Sequence, residues 1–314
     1  MSALKVGIVG LGYVGLSLVR ALCDCKTRVY GFDINSERVN QLSGGVSPNE
    51  SISSSEVLHF IQKGLLTVHS EIEDLGICDV VVIAVPTPLT EEGEPDYRPL
   101  KAACEDLAKV LRRDALLINE STSHPGTLRD FIKPIISSFR EDKGAEILFA
   151  CSPERVNPGD TIHSIKSTPR VISGIGDAAK SAAGNFYSLF VENIHVAQTP
   201  EIAEMSKLLE NSFRLVNIAF INELNDFCLK RDIPIREVIS AASTKPFGFM
   251  PFQPSAGIGG HCIPVDPEYL LKSAMSESIS LPILESAAES NRHQPERIIR
   301  FIEEKFGEIG RAHV

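Results

Sequence analysis

No stretch of this 314-residue chain approaches the roughly 18 uninterrupted apolar residues of a membrane span, so a membrane partner is not expected. Positive charge is also short. Lysine and arginine number 31 against 41 aspartates and glutamates, a net charge of −10 that argues against nucleic acid as the main ligand while leaving room for a local basic pocket. The opening residues, MSALKVGIVGLG, enter a strand pattern at once and lack the charged head and cleavage site of a secretory signal. The 7 cysteines (Cys23, Cys25, Cys78, Cys104, Cys151, Cys228 and Cys262) are odd in number and lack metal-ligand spacing. Neither a disulfide framework nor a metal centre is expected, and free thiols in a reducing cytoplasm fit. What remains is ordinary globular material, 43% hydrophobic and 23% charged, with length for two domains and part of a third.

The first motif is LKVGIVGLGYVGLSLVRAL: a short apolar strand, a glycine-rich turn, then a helix. Gly10, Gly12 and Gly15 fit G-x-G-x-x-G, in which the first glycine permits the turn, the second lets a pyrophosphate approach and the third lets helix pack on strand. Tyr13 and Val14 lie in the helix's first turn, whose free N–H groups attract phosphate. A second strand, RVYGFD, ends in Asp33, where an acid binds adenine-ribose hydroxyls and disfavours a 2′-phosphate. NAD is therefore the expected cofactor, with Arg38 a further candidate contact to its adenosine.

Apolar runs then recur as LLTV, DVVVIAVP, ALLINES, EILFACSP, RVISGI and IHVA, with helical stretches between them. This pattern predicts a doubly wound α/β fold with a parallel sheet covered on both faces. Ligands of such sheets bind beyond the carboxyl ends of the strands, where Thr87, Ser121, Thr122 and Glu154 fall. A long helix is expected over 199–230, with Thr199 as N-cap, Pro200 in the first position and Glu201 and Glu204 near its positive end. Lys207, Asn211 and Arg214 share one face of it, in apolar surroundings that suit a buried helix. A shorter helix, PIREVISAAS, precedes a long Gly/Pro-rich loop, TKPFGFMPFQPSAGIGGHCIPVDP. Loops of this length without secondary structure are uncommon unless functional.

Cys262 is the only cysteine in a glycine-rich loop. A thiolate there can capture an aldehyde and split an alcohol-to-acid oxidation into smaller steps, given an oxyanion donor and a base for water. Lys207 and Asn211 are donors of the right kind, and Glu154 or Asp266 suits the base. The plain alternative is a small buried structural cysteine.

The string of GLGYVG, Asp33, VPTP, EST, SPERVNPGD, KLLENSFRLVNIAFINEL and GIGGHCIPVDP, in that order over residues 4 to 305, resembles the UDP-glucose/GDP-mannose dehydrogenase family. The resemblance implies a Rossmann-like NAD-binding domain (1–198), a long central helix with a helical middle and dimerisation domain (199–305), and a third nucleotide-sugar-binding domain that this chain lacks. It implies a four-electron, NAD-dependent oxidation of a UDP-sugar at C6. Cys262 would be the nucleophile. Lys207, Asn211 and Asp266 would stabilise the oxyanion and activate water, and Glu154 would act as acid/base or position water. SPERVNPG, GGHCIPVDP and STKPFGFMPF are most similar to enzymes of UDP-N-acetylhexosamines, UDP-N-acetylglucosamine first and UDP-N-acetylmannosamine second. Arg155, Arg214, Phe252, Ser255, Gly259 and His261 would contact substrate, with the 251–259 loop wrapping the sugar nucleotide. Val265 departs from the UDP-glucose branch, which carries lysine there.

Two other readings stay open: a two-electron β-hydroxyacid-type dehydrogenase that needs no cysteine, and a non-catalytic NAD-binding dimerisation module. The last residues, Glu308–Val314 (EIGRAHV), are what GAGATCGGAAGAGCACACGTC encodes, a string resembling a sequencing-library adapter, and are expected to be non-native. A chain of this extent is expected to bind NAD but to turn over little substrate.

Overall fold

Side chains of the central strands are apolar on both faces, so helices must cover both. In the strand Val80–Ile83, Val80 and Val82 enter one core while Val81 and Ile83 enter the other. In the strand Leu116–Asn119, Leu116 and Ile118 divide from Leu117 in the same way, as a period of two demands. The computed structural model describes residues 4–141, 146–155, 164–260 and 263–307, which fall into two compact units: residues 1–90 with 95–207, and 91–94 with 208 onward.

The first unit begins β1 (Lys5–Val9), α1 (Tyr13–Asp24), β2 (Arg28–Phe32), α2 (Ser36–Ser43), α3 (Ser54–Gln62), β3 (Leu66–His69) and β4 (Val80–Ile83). It continues with α4 (Arg98–Val110), β5 (Leu116–Asn119), α5 (Lys133–Ser138), β6 (Leu148–Cys151), β7 (Arg170–Gly174), α6 (Asp177–Tyr187) and β8 (Ile194–Val196). The eight strands order as β3-β2-β1-β4-β5-β6-β7-β8, so the winding reverses between β1 and β4, where such sheets bind ligand. Helices α1, α3 and α6 pack on one face; α4 and α5 pack on the other. The expected parallel sheet holds for all the described pairs but one: β7 runs antiparallel to β6, with Ala150 opposite Gly174. An antiparallel neighbour needs no crossover helix, so this reversal carries no periodic signal in sequence.

The long helix is α7 (Pro200–Lys230), of 31 residues, followed by α8 (Ile235–Ala242), α9 (Asp266–Ser276), α10 (Pro282–Arg292) and α11 (Gln294–Phe306). In the second unit Leu215 and Ala219 of α7 meet Leu271 of α9 and Leu284, Ala287 and Ala288 of α10. Ile221 and Cys228 of α7 meet Ile235 and Ile239 of α8. The described residues between α8 and α9 form no helix or strand, as expected for the Gly/Pro-rich segment. That backbone is held instead by side-chain amides. Asn222 Oδ1 accepts from Ser255 N (2.8 Å), Asn291 Oδ1 from Ile258 N (2.8 Å), and Gln294 Nε2 donates to the Ser255 carbonyl (3.3 Å).

Leu117 is fully buried at the sheet's centre. Leu117→Ala is expected to cost about 2–5 kcal/mol in urea unfolding, whereas Leu189→Ala, at a position 47% exposed, is expected to change stability by less than about 0.5 kcal/mol.

Candidate functional site

The glycine turn is built to a tolerance of less than one methyl group. Gly10 has φ +95°, and a Cβ on it would lie 2.5 Å from the Ala84 carbonyl oxygen at the end of β4. A Cβ on Gly15 would lie 1.9 Å from the Gly10 carbonyl oxygen. Gly12 is the opposite case: a Cβ there would meet nothing within 4 Å. The structure therefore closes the turn at Gly10 and Gly15 and leaves open space over Gly12. There α1 begins without a side-chain cap and with Tyr13 and Val14 half-buried. A pyrophosphate placed over that opening would face the N-terminal end of α1, whose partial positive charge favours an anion.

Asp33 is only 5% exposed. Its Oδ2 accepts from Leu11 N (2.7 Å) and from Arg38 Nη1 (2.8 Å), and its Oδ1 accepts from Asn35 N (2.9 Å). The acid read as a ribose ligand thus also ties the glycine turn to the end of β2, and Arg38 lies against it as an ion pair. The next two strand exits are tied together. Thr87 Oγ1 donates to the Thr122 carbonyl (2.9 Å) and Ser121 Oγ to the Val85 carbonyl (2.8 Å). Beyond β6, Glu154 pairs with Arg170 (2.6 Å) and accepts from Arg155 N (2.7 Å), while the Arg155 guanidinium donates to the Pro169 carbonyl (2.8 Å).

On α7, Glu204 does not serve its own helix. Its carboxylate accepts from Gly126 N (2.7 Å) and Leu128 N (2.9 Å), capping the π-type turn Thr127–Ile132, while Glu201 pairs with Arg129 (2.7 Å). Lys207 is half-buried, Asn211 is buried and Arg214 is exposed. In the second unit Asn211 Nδ2 donates to Asp266 Oδ2 (2.5 Å), and Asp266 is 2% exposed at the first position of α9. Phe252 packs edge-on against Phe213 with ring centres 5.8 Å apart. Ser255 is held through its backbone, and Gly259 lies open. Gly260 has φ +89°, a conformation that keeps side chains out of the position just ahead of His261 and Cys262. His261, Cys262 and the tail 308–314 lie outside the described residues.

The other six cysteines carry free thiols. Burial pushes those of Cys23, Cys78 and Cys104 up to about 12 and raises Cys151 well above the ordinary value, which makes all four poor nucleophiles. Sequence reasoning missed Glu120, Arg170 and Tyr187, which join Glu154 in one buried cluster. Arg170 starts a strand and reads as a solvated end. Only its spatial neighbours reveal it.

The fold and the turn define a dinucleotide-binding α/β protein joined to a helical unit. Residues 4–192 match the NAD binding domain of the UDP-glucose/GDP-mannose dehydrogenase family and residues 201–293 match its central domain, so the chain belongs to that family of oxidoreductases and its cofactor is NAD. It is 38% identical over 278 residues to UDP-N-acetyl-D-glucosamine 6-dehydrogenase of Pseudomonas aeruginosa, covering 88% of this chain and 64% of that protein. It is 34% identical to UDP-N-acetyl-D-mannosamine dehydrogenase of Escherichia coli K12, covering 94% of this chain and 70% of that one. The solved UDP-D-ManNAc dehydrogenase from Pyrococcus horikoshii superposes with a TM-score of 0.88 at 32% identity, over 96% of this chain and 72% of the other. No helix among the described residues is long and apolar enough to cross a membrane.

Two buried acids stand well above the ordinary carboxylate range. Burial pushes Glu120 up to about 8 and Glu204 up to about 7, from an ordinary 4.5. Between those values the folded chain holds protons that the unfolded chain has released. The contribution of these two acids to stability is therefore expected to fall as pH rises from about 5 to about 8, by about 1.4 kcal/mol per pH unit for each such proton. Glu120→Gln and Glu204→Gln should each flatten that slope in urea titrations run across the range.

Proposed function

We propose that this protein oxidises a UDP-N-acetylhexosamine, UDP-N-acetylglucosamine in the first instance, from the C6 alcohol to the carboxylate by a four-electron route through Cys262. The observation that carries the reading is the buried Asn211–Asp266 hydrogen bond at the start of α9, on a residue that follows Cys262 by one helical turn's worth of chain. A carboxylate and an amide fixed on each other are the parts needed beside a reactive thiol. Gly10, Gly12, Gly15 and Asp33 would hold NAD, and two NAD molecules bound in succession would each accept one of the two hydrides.

The atoms balance as follows. The C6 alcohol loses a hydride and its hydroxyl proton to become an aldehyde. The Cys262 thiol adds across that carbonyl to give a thiohemiacetal. Loss of a second hydride and proton gives a thioester, and water cleaves it to the carboxylate with return of the thiol. Lys207 and Asn211 donate to the developing oxyanion, Asp266 and Glu154 take protons from water and alcohol, and Arg155 and Arg214 face the sugar nucleotide. The glucosamine configuration is favoured by the 243–252 segment and by the Pseudomonas relative; the mannosamine epimer is the alternative. The free thiols support a cytoplasmic setting.

In the full-length protein, two NADH are expected per sugar nucleotide consumed, with none in Cys262→Ala. One NADH per sugar, with the variant still active, would place the protein among two-electron dehydrogenases.

A homodimer through the helical unit belongs to the same proposal. Phe213, Phe220 and Phe227 recur every seven residues on α7 and are 45%, 58% and 58% exposed, with Leu209 and Leu224 beside them at 59% and 36%. Seven residues bring a helix back within about 20° of the same face, so these side chains form one apolar stripe suited to a second copy of itself. Phe220→Glu with Phe227→Glu is expected to halve the mass seen by light scattering. An unchanged mass would remove this stripe from the interface.

A further inference from the structure

Five buried polar side chains meet where β5, β6 and β7 lie side by side, and the oxidation proposed above uses only one of them. Arg170, at the first position of β7, is 2% exposed. Its Nε donates to Ser152 Oγ (3.0 Å), its Nη1 to Glu154 Oε2 (2.6 Å), and its Nη2 contacts Glu120 Oε2. From α6 the Tyr187 hydroxyl donates to Glu120 Oε1, and the Arg170 guanidinium carbon lies 5.2 Å from the Tyr187 ring centre. Among the described residues, the titratable groups that face Glu120 are Arg170 on β7, Glu154 beyond β6 and Tyr187 on α6.

The charges do not cancel. Within this set, two carboxylates and one guanidinium leave a net negative charge in a largely buried site, deepest at Glu120, and a phenol adds nothing to offset it. Such a cluster lowers its energy by keeping one proton. Glu120 is the deeper acid, 1% exposed against 8% for Glu154, so ionisation is harder at Glu120.

We propose that Arg170 is a positioning residue for Glu154, and that Glu120, Arg170 and Tyr187 form with Glu154 one proton-sharing unit in which the shared proton rests on Glu120 and the accessible carboxylate is Glu154. This deepens, and rests on, the assignment of Glu154 as an acid/base group. The titration direction agrees: burial first, then the like charge of Glu154, outweighs the guanidinium and pushes Glu120 up to about 8. The guanidinium fork fixes the Glu154 rotamer with a planar, charge-assisted bond that an ammonium group does not reproduce. Protonation of Glu154 removes the like charge beside Glu120 and lets that acid release its own proton. The two carboxyls thus titrate as a pair that holds about one proton near neutral pH.

Infrared difference spectroscopy on the chain labelled with carbon-13 glutamate reads the proton directly. In the Glu204→Gln background, which removes the other buried acid, a protonated-carboxyl band is expected at pH 7, fading as pH rises through about 8, absent when Glu120→Gln is added, and fading more than about one pH unit earlier when Glu154→Gln is added. No band, a band retained when Glu120→Gln is added, or an unmoved midpoint when Glu154→Gln is added overturns the unit. In the full-length protein Arg170→Lys, which keeps the charge and loses the fork, is expected to lower kcat and move the pH profile while KM for NAD holds. A pH profile that stays put overturns the positioning role. If the wild type oxidises no sugar nucleotide while the band behaves as stated, the oxidation reading fails and the proton-sharing unit is upheld on its own.

Discussion

The absence of side chains at Gly10 and Gly15 is the constraint on which the first unit depends. The Gly15 backbone rides directly over the Gly10 carbonyl, and Gly10 in turn seats against the carbonyl at Ala84. That contact brings α1 down onto β1 and β4 at the point where the sheet's winding reverses. A Cβ at either position would run into a backbone carbonyl, Ala84's or Gly10's. The strand exits of β4 and β5, locked together through Thr87 and Ser121, follow on from the opening over Gly12 because β4 is the neighbour of β1 and β5 the neighbour of β4.

Acids and amides divide the work of fixing loops in the two units. In the first, buried carboxylates hold backbone N–H groups: Asp33 holds Leu11 and Asn35, and Glu204 holds Gly126 and Leu128. In the second, the neutral amides of Asn222, Asn291 and Gln294 hold the segment that leads to Gly259 and Gly260. A carboxylate accepting backbone hydrogen bonds makes a strong pin at the cost of desolvating a charge, whereas an amide carries no such penalty and supplies both a donor and an acceptor.

Features that repeat, or that require one residue type, were legible in the sequence. The strand runs, the G-x-G-x-x-G turn with Asp33, and the long helix, which begins at Pro200 and ends at Lys230 as its cap and periodicity indicate, follow from local rules. The loop ahead of α9 was legible from its glycines and prolines. Contacts made by a single side chain across many residues were not. Glu204 reads as an acid in the first turns of its own helix, but its partners lie 76 and 78 residues earlier. Arg170 looks like a solvated strand end because nothing in TPRVISG announces that Glu120 and Glu154 close around it. The reversal of β7 is equally silent, since a short buried strand reads the same in either direction.

The seat of Gly10 also bears on the order of assembly. Val6 pairs with Val29 in β2 nearby in the chain, and on its other side with Val80 in β4, far along it. Pairings of long sequence separation form late, because the loop they close must lose its freedom first. Until β4 docks, the turn has no Ala84 carbonyl to rest against, and β1, α1 and β2 on their own would offer the dinucleotide an unwalled turn. The cofactor therefore has little hold on the first-formed half of the unit. Its stabilising effect is confined to species in which β4 is already in place, so it acts on unfolding from the native state and not on the search that precedes it.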